Sequence, residues 1–462
     1  MMDRKYVTLG YLTLLALGCL AWVYNLERMA FIDAAQTILD ILSRNSFVIE
    51  DRFTSALVQA FPLVASRLGA SLNSVLISYS ISFVVWPLVI YAILVHWLRA
   101  ADLAFGFVLS MVLMLSHGFF WVANQIQIAI WLTVLAYGFI WVGVLQSAKW
   151  RIALAYVLGM LAVLTHPLGI VAFLFLHGFF ILQRRERSGV HTWGLPLFAA
   201  FIWITKLAVF VHPYDAGRYR SIENFVRLFP HYLGIPANHE FLAYVGDSYY
   251  LAILILGLNA LYYWGTNAWL KLIWMIGVFA GYLMVINVTL YGGIARFYVE
   301  LEYQPLAFFI AIPFAVDVLP AIRLRKAAFW LVCVILALRI ALIIGHSGIY
   351  RERVHWHEAM IERLREKQSN RFVIEEKDAP VQKLILTWAA SAESLLISSI
   401  PHTPRSITYV IDSDMRRYEE VREEDDIFLT KWTKLAASQL PSKYFSLAPA
   451  RYEKLSKEDI VP

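Results

Sequence analysis

The chain has 462 residues, 60% of them hydrophobic and only 16% charged, whereas a soluble globular domain carries about a quarter charged residues. That excludes an ordinary soluble domain and describes a polytopic membrane protein. The formal net charge of +6 implies no nucleic-acid partner, because Lys and Arg in such a chain are placed by topology. The 16 Trp, 24 Tyr and 29 Phe suit the two membrane–water interfaces.

The first apolar run, from Thr8 to Tyr24, lacks a small-residue cleavage site and is followed by Asn25 and Glu27. It reads as a retained span and not as a removed signal peptide. Residues 25–73 then form a first loop that is too charged to span, with Asp33, Asp40, Glu50, Asp51 and Arg52 among apolar residues. Within it Ile32, Ala35, Leu39 and Leu42 keep helical spacing, which predicts a helix along the membrane surface with Asp33, Gln36 and Asp40 on its polar face. A second helix is predicted from about 53 to 68, carrying Leu57, Phe61, Val64 and Leu68 on one face.

A spanning helix needs about 20 apolar residues. The segments 8–24, 74–96, 102–120, 126–146, 151–165, 168–183, 193–211, 248–264, 271–289, 304–322 and 327–345 meet or approach that length, which predicts about 11 transmembrane helices. The fifth and sixth are short and separated only by Thr165, His166 and Pro167, so they also read as one broken span. Cys19 and Cys333 lie inside apolar runs, which argues against a structural disulfide.

Arg4, Lys5, Arg99, Lys149, Arg151, Arg184, Arg185, Arg187, Lys271, Arg323, Arg325 and Lys326 fall on one side of these spans. That side is assigned to the cytoplasm, together with the N-terminus. Loops 25–73, 117–125, 165–167, 212–247 and 290–303 then face outward. Residues 1–346 form the membrane part, and the odd number of spans places 347–462 outside. There the composition turns charged, and Leu384–Thr387, Ala389–Ile397 and Ile407–Ile411 predict a strand, a helix and a strand. The fold class is therefore an all-α polytopic membrane protein with a small C-terminal α/β extracytoplasmic domain.

The order of "FIDAAQTILDI", "ALVQAFPLVASRLGASL", "VLTHPLGIVAFLF" and "RFYVELEYQPLAFFIAIP" resembles the integral-membrane GT-C glycosyltransferases over about residues 8 to 345. These enzymes use polyprenyl-phosphate-linked sugars. The resemblance implies transfer of a sugar from such a donor to a lipid, glycan or protein acceptor on the outer face of the membrane, with membrane lipids as the surroundings. It also implies that Asp33, in the first outer loop after the first span, is the catalytic base. Thr165–Pro167 and Arg296, Tyr298 and Pro305 match the family's later Pro-containing outer segment and the basic-aromatic entrance to a late span. The absence of an obvious retention signal and the compact loops point to a bacterial inner membrane, and so to glycosylation in the cell envelope.

The chemistry requires a carboxylate within reach of the acceptor proton and cations for the departing phosphate, for which Arg offers a bidentate match. Arg296 is the first candidate for the phosphate, with Arg218, Arg220 and Lys206 behind it. Glu50, Asp51, His166, Tyr298 and Glu300 are candidates for the cavity and the acceptor site. Each has an ordinary alternative. Arg296 and Glu300 have the spacing of an i,i+4 ion pair, Lys206 can snorkel to the outer interface, and His166 can stabilise a turn. Arg218, Arg220 and Arg227 also suit a solvated face, and His212, Tyr214 and Asp215 a helix end beside Pro213. His355, Trp356, His357 and Glu358 lack a metalloprotease spacing and read as structural. The residues identify no cofactor, and a divalent metal is left open because Asp33 lacks the paired acid of some relatives. The rival readings are a transporter or flippase of lipid-linked glycans and a non-catalytic membrane scaffold.

Overall fold

The computed structural model describes residues 3–49, 52–143, 149–183, 190–209, 223–400, 405–421 and 423–461. Helices dominate: α1 Arg4–Val23, α2 Asn25–Met29, α3 Ile32–Arg44, α4 Ser55–Arg67, α5 Leu72–Ala92, α6 Ala101–Leu113, α7 Ile126–Gly143, α8 Lys149–Thr165, α9 Gly169–Gln183 and α10 Val190–Val209. After them come α11 Glu223–Arg227, α12 Pro236–Tyr244, α13 Tyr250–Gly265, α14 Trp269–Thr289, α15 Arg296–Glu302, α16 Gln304–Pro313, α17 Arg325–Gly345, α18 Ser347–Leu364 and α19 Ala390–Ser399.

Each apolar segment anticipated from the sequence holds a helix, though 102–120 only as far as Leu113 and with the ends of 126–146 and 193–211 outside the described residues, because an apolar run in lipid must satisfy its backbone internally. Among the described residues, six helical stretches are long and apolar enough to cross a membrane: Arg4–Val23, Leu72–Trp97, Pro236–Gly265, Trp269–Thr289, Gln304–Ala321 and Arg325–Leu364. Ala101–Leu113, Ile126–Ile140, Gly169–Gln183 and Trp193–Val209 are apolar but shorter. Close packing joins them. An added Cβ at Gly106 of α6 would lie 3.2 Å from the Ile312 Cα of α16, so these two backbones approach closely because the residue is small.

The segment predicted to span over 102–120 departs from expectation. Its helix stops at Leu113, and the chain then runs irregularly apart from a 3₁₀ turn at His117–Phe119. Three buried charged side chains replace the missing helical bonds. Glu300 accepts from the amides of Ser116, His117 and Gly118 and from Ser116 Oγ at 2.7 Å. Arg339 donates to the carbonyls of Val112, Leu115 and Ser248. Arg28 donates to Phe119 O at 3.0 Å and to the carbonyl and hydroxyl of Ser80. Irregular backbone inside a membrane protein persists only where such partners exist.

The first loop holds the two anticipated helices, but its orientation differs. Ala35, Ile38 and Leu39 of α3 are fully buried in the same core as Ala392, Leu395 and Leu396 of α19, so α3 lies inside protein and not along a membrane surface. Asp33, Gln36, Thr37, Asp40 and Arg44 do share one half-buried to exposed side, as anticipated, but the apolar side formed by 34, 35, 38, 39, 41 and 42 is buried, with α19 packed against α3. In α4 the buried side is Ser55, Val58, Gln59, Pro62 and Leu63, whereas Val64 and the following Leu68 are exposed. The anticipated stripe is therefore split: Leu57 packs against the core and Phe61 is half-buried, whereas Val64 and Leu68 face away.

Beyond α18, strands β1 Arg371–Glu375, β2 Thr408–Asp412, β3 Ile427–Leu429, β4 Lys434–Ala436 and β5 Glu453–Lys454 appear. A parallel three-stranded sheet has the order β2-β1-β5, with Phe372 opposite Tyr409, and β3 pairs antiparallel with β4. The strand expected at Leu384–Thr387 is instead β1, thirteen residues earlier by its start (384 − 371). Leu384 ends the short helical turn Val381–Leu384, and Ile385 takes a positive φ of 64°, which an extended strand does not allow.

Candidate functional site

Asp33 sits in the first turn of α3, after Phe31 in extended conformation and Ile32 at φ +34°. A β-branched residue rarely adopts that conformation, and it sets the direction in which the helix and its first carboxylate leave. Trp121 Nε1 donates to Asp33 Oδ2 at 2.7 Å. The indole is in turn stacked on Tyr298, with centroids 4.3 Å apart and planes at 22°, and meets Phe297 edge-on at 5.8 Å. Phe297 also packs on Phe31. The first loop and α15 thus share one aromatic cluster, in which Trp121 gives its N–H to Asp33 and its face to Tyr298.

Arg296 opens α15. It pairs with Asp247 Oδ2 at 2.5 Å, donates to Ser248 Oγ at 2.5 Å and lies over the Tyr244 ring at 4.7 Å. Asp247 and Ser248 belong to a π-helical turn, Val245–Tyr249, that continues α12. Such turns widen a helix locally and often occur at functional sites. The i,i+4 pairing of Arg296 with Glu300 does not form, because Glu300 is committed to the 116–118 backbone. Arg296 therefore stands at a half-exposed carboxylate, near the aromatic cluster.

Glu300 is a structural residue in this arrangement and not an open acceptor ligand. Burial pushes its carboxyl above the ordinary value, opposed by the Ser116 and Gly118 amides, the Ser116 hydroxyl and Arg339. Lys206 does not snorkel outward. It is buried and donates to Leu164 O at 2.6 Å, at the end of α8. His166 is buried in the adjacent turn, where its Nδ1 accepts from the Leu168 amide at 3.2 Å. Trp203 Nε1 donates to Pro167 O at 2.9 Å, and the Thr165 and Thr54 hydroxyls meet at 2.7 Å. The 165–167 turn is therefore fastened both to α10 and to the start of α4. Arg52 reaches Gln125 Oε1 at 2.6 Å. Glu50, Asp51, Arg218, Arg220, His212, Tyr214 and Asp215 lie outside the described residues.

Among the described residues, no three His, Cys, Asp or Glu side chains converge as metal ligands. His357 is fully buried, with Nδ1 2.5 Å from Tyr409 Oη and Nε2 3.0 Å from Glu393 Oε2. Cys19 and Cys333 are unpaired thiols.

Trp121, Asp247, Ser248 and Glu393 were not singled out in the sequence. A buried indole N–H must find an acceptor, and a lone carboxylate in "AASAESLLISSI" is too costly to bury without partners. Those were the signals available. Neither identifies the partner. No protein family, curated protein or solved structure matches this chain.

Proposed function

We propose that this membrane protein transfers a sugar from a polyprenyl-phosphate donor to a lipid, glycan or protein acceptor, with about eleven spans arranged as in GT-C glycosyltransferases. In this reading the loops containing Asp33, the 165–167 turn and α15 face the outside of a bacterial inner membrane, and the N-terminus faces the cytoplasm. Asp33 takes the proton of the acceptor hydroxyl or amide as the acceptor atom bonds to the anomeric carbon. The bond from that carbon to the phosphate oxygen breaks, and the electron pair leaves with polyprenyl phosphate. Arg296 holds the phosphate, in exchange for part of its contact with Asp247. A positioned base of this kind contributes about 100- to 10,000-fold.

The observation that carries the reading is the bridge Asp33–Trp121–Tyr298, which connects the candidate base to the helix that begins with the candidate phosphate ligand. A fixed indole donor at 2.7 Å orients the Asp33 carboxylate, and orientation is the main requirement of a general base. The aromatic rings around it suit a sugar–lipid substrate with one apolar face.

The test is transfer of radiolabelled sugar from a panel of polyprenyl-phosphate sugars, with total lipid extract as acceptor, by purified wild type and Asp33→Asn. Loss in the variant with unchanged insertion supports the assignment. Full turnover by the variant removes Asp33 as base, and no transfer from any donor by folded wild type shifts the weight to transport or scaffolding.

A further inference from the structure

The strongest feature that the proposed chemistry does not use lies across the contact between α19 and α3. Glu393 is fully buried, and its two oxygens divide their work. Oε1 accepts the Ile32 amide at 2.6 Å. Oε2 takes the Arg353 guanidinium and lies 3.0 Å from His357 Nε2. Arg353 also donates to Leu386 O at 2.8 Å and lies over the Phe31 ring at 5.2 Å. Thus one carboxylate from the C-terminal part grips the first backbone donor of α3, at the residue with the unusual φ, immediately before Asp33.

The first amides of a helix have no partner within it. Here the donor at Ile32 is taken by a charged acceptor, and charge-assisted bonds are short and strong. A left-handed conformation at an isoleucine persists only when its surroundings over-determine it. Glu393 supplies part of that determination, and Phe31, clamped between Phe297, Tyr350 and Arg353, supplies the rest. Releasing Ile32 lets φ relax toward the ordinary helical region, which swings the first turn and turns Asp33 away from Trp121.

We infer that Glu393 is a positioning residue: through the Ile32 amide, the C-terminal segment sets the geometry of Asp33 and is part of the active site's construction. This rests on the transferase reading above. The substitution Glu393→Gln is discriminating, because the Ile32 amide and Arg353 take different oxygens of the carboxylate and a carboxamide places an oxygen at only one of those positions. Glu393→Asp keeps the charge but shortens the reach.

The experiment combines two readouts on full-length wild type, Glu393→Gln and Glu393→Asp. Hydrogen–deuterium exchange over residues 30–44 reports whether the start of α3 is held. Steady-state transfer with a polyprenyl-phosphate sugar separates kcat from KM. The expected result is faster exchange at the start of α3 with α1 and α5 still protected, and kcat lower by about 100-fold in the Gln variant with donor KM unchanged, the effect of a misplacement near 1 Å. The Asp variant should fall between the two. Wild-type exchange in the Gln variant overturns the inference, and so does faster exchange with undiminished kcat. An inactive wild type overturns the transferase reading and the positioning role with it, while the exchange data still report the grip on α3. If the Gln variant does not fold, the Asp variant decides by the same kcat criterion.

Discussion

Oε1 of Glu393 stands 2.6 Å from the backbone nitrogen of Ile32, although 361 positions separate them in the chain. The contact joins the last third of the protein to the residue preceding the candidate base. It is enclosed in a core shared by Ala35, Ile38 and Leu39 with Ala392, Leu395 and Leu396. The C-terminal segment is therefore packed into the first loop and not suspended beside it.

Removing the cation that balances Glu393 should be severe. Breaking a buried pair by deleting one partner costs about 3–5 kcal/mol, so Arg353→Met should lower the melting temperature of the detergent-solubilised protein and open residues 347–461 to protease. Adding Glu393→Gln to that variant should recover part of the loss, because the uncompensated charge disappears. A melting temperature equal to wild type for Arg353→Met would show that the pair does not balance charge in this core.

Acidification should act on the same contact. Burial raises the Glu393 carboxyl, but Arg353, His357 and the Ile32 amide outweigh it and hold the group below its ordinary value of 4.5. A carboxylate depressed by folding stabilises the native state fully above its unfolded pKa, and that contribution is lost as the pH falls through the folded value. Protection of α3 and α19 from hydrogen exchange should therefore be level from neutral pH to about 4.5 and fall below it. Glu393→Gln should abolish the portion of that fall due to this group.

Glu300 gives a second stability prediction with another cause. Glu300→Ala orphans the amides of Ser116, His117 and Gly118, at about 1–3 kcal/mol for each buried donor. That variant should accumulate poorly in membranes, and Glu300→Gln, which retains one acceptor oxygen, should lose roughly 2 kcal/mol by the same reasoning. Thermal unfolding in detergent measures both.

Asp247 and Arg296 should move in opposite directions. If the donor phosphate competes with Asp247 for the guanidinium, Asp247→Asn lowers the donor KM. Arg296→Lys loses the planar fork and raises it, by about tenfold. Changes in the same direction would remove Arg296 from the phosphate site.

Trp121→Phe keeps a ring to stack on Tyr298 and removes the N–H that holds Asp33. A hydrogen bond to a charged group contributes about 1.5–3 kcal/mol, so transfer should fall at least tenfold while insertion is unchanged. Undiminished transfer would show that the indole does not orient the base.

The long apolar runs and the 3.6-residue spacing of Ile32, Ala35, Leu39 and Leu42 were sufficient to predict helix within the apolar segments and both helices of the first loop, whereas α2, α11, α12 and α15 lie in stretches read as loops. The α19 helix and β2 were legible from Leu395, Leu396 and Ile397 and from Tyr409, Val410 and Ile411, although the polar Ser391, Glu393, Ser394 and Thr408 are buried beside them. The break after Leu113 was not legible. Met114–Val122 is mostly apolar and runs on from α6, and Glu300, Arg339 and Arg28, all distant in the chain, supply bonds that let it leave the helix. Likewise Leu384–Thr387 has a strand-like composition, but β1 takes the place beside β2.

What the residues determined by themselves was the set of segments that must leave water, because that depends on each segment's own transfer free energy and backbone bonding. Tertiary structure alone decided where the polar groups are satisfied. Arg296 meets Asp247 and not Glu300, Lys206 turns inward to Leu164, and Glu393 closes on Ile32. A buried charge is tolerated only beside its partner, and partners this far apart in the chain meet only after folding.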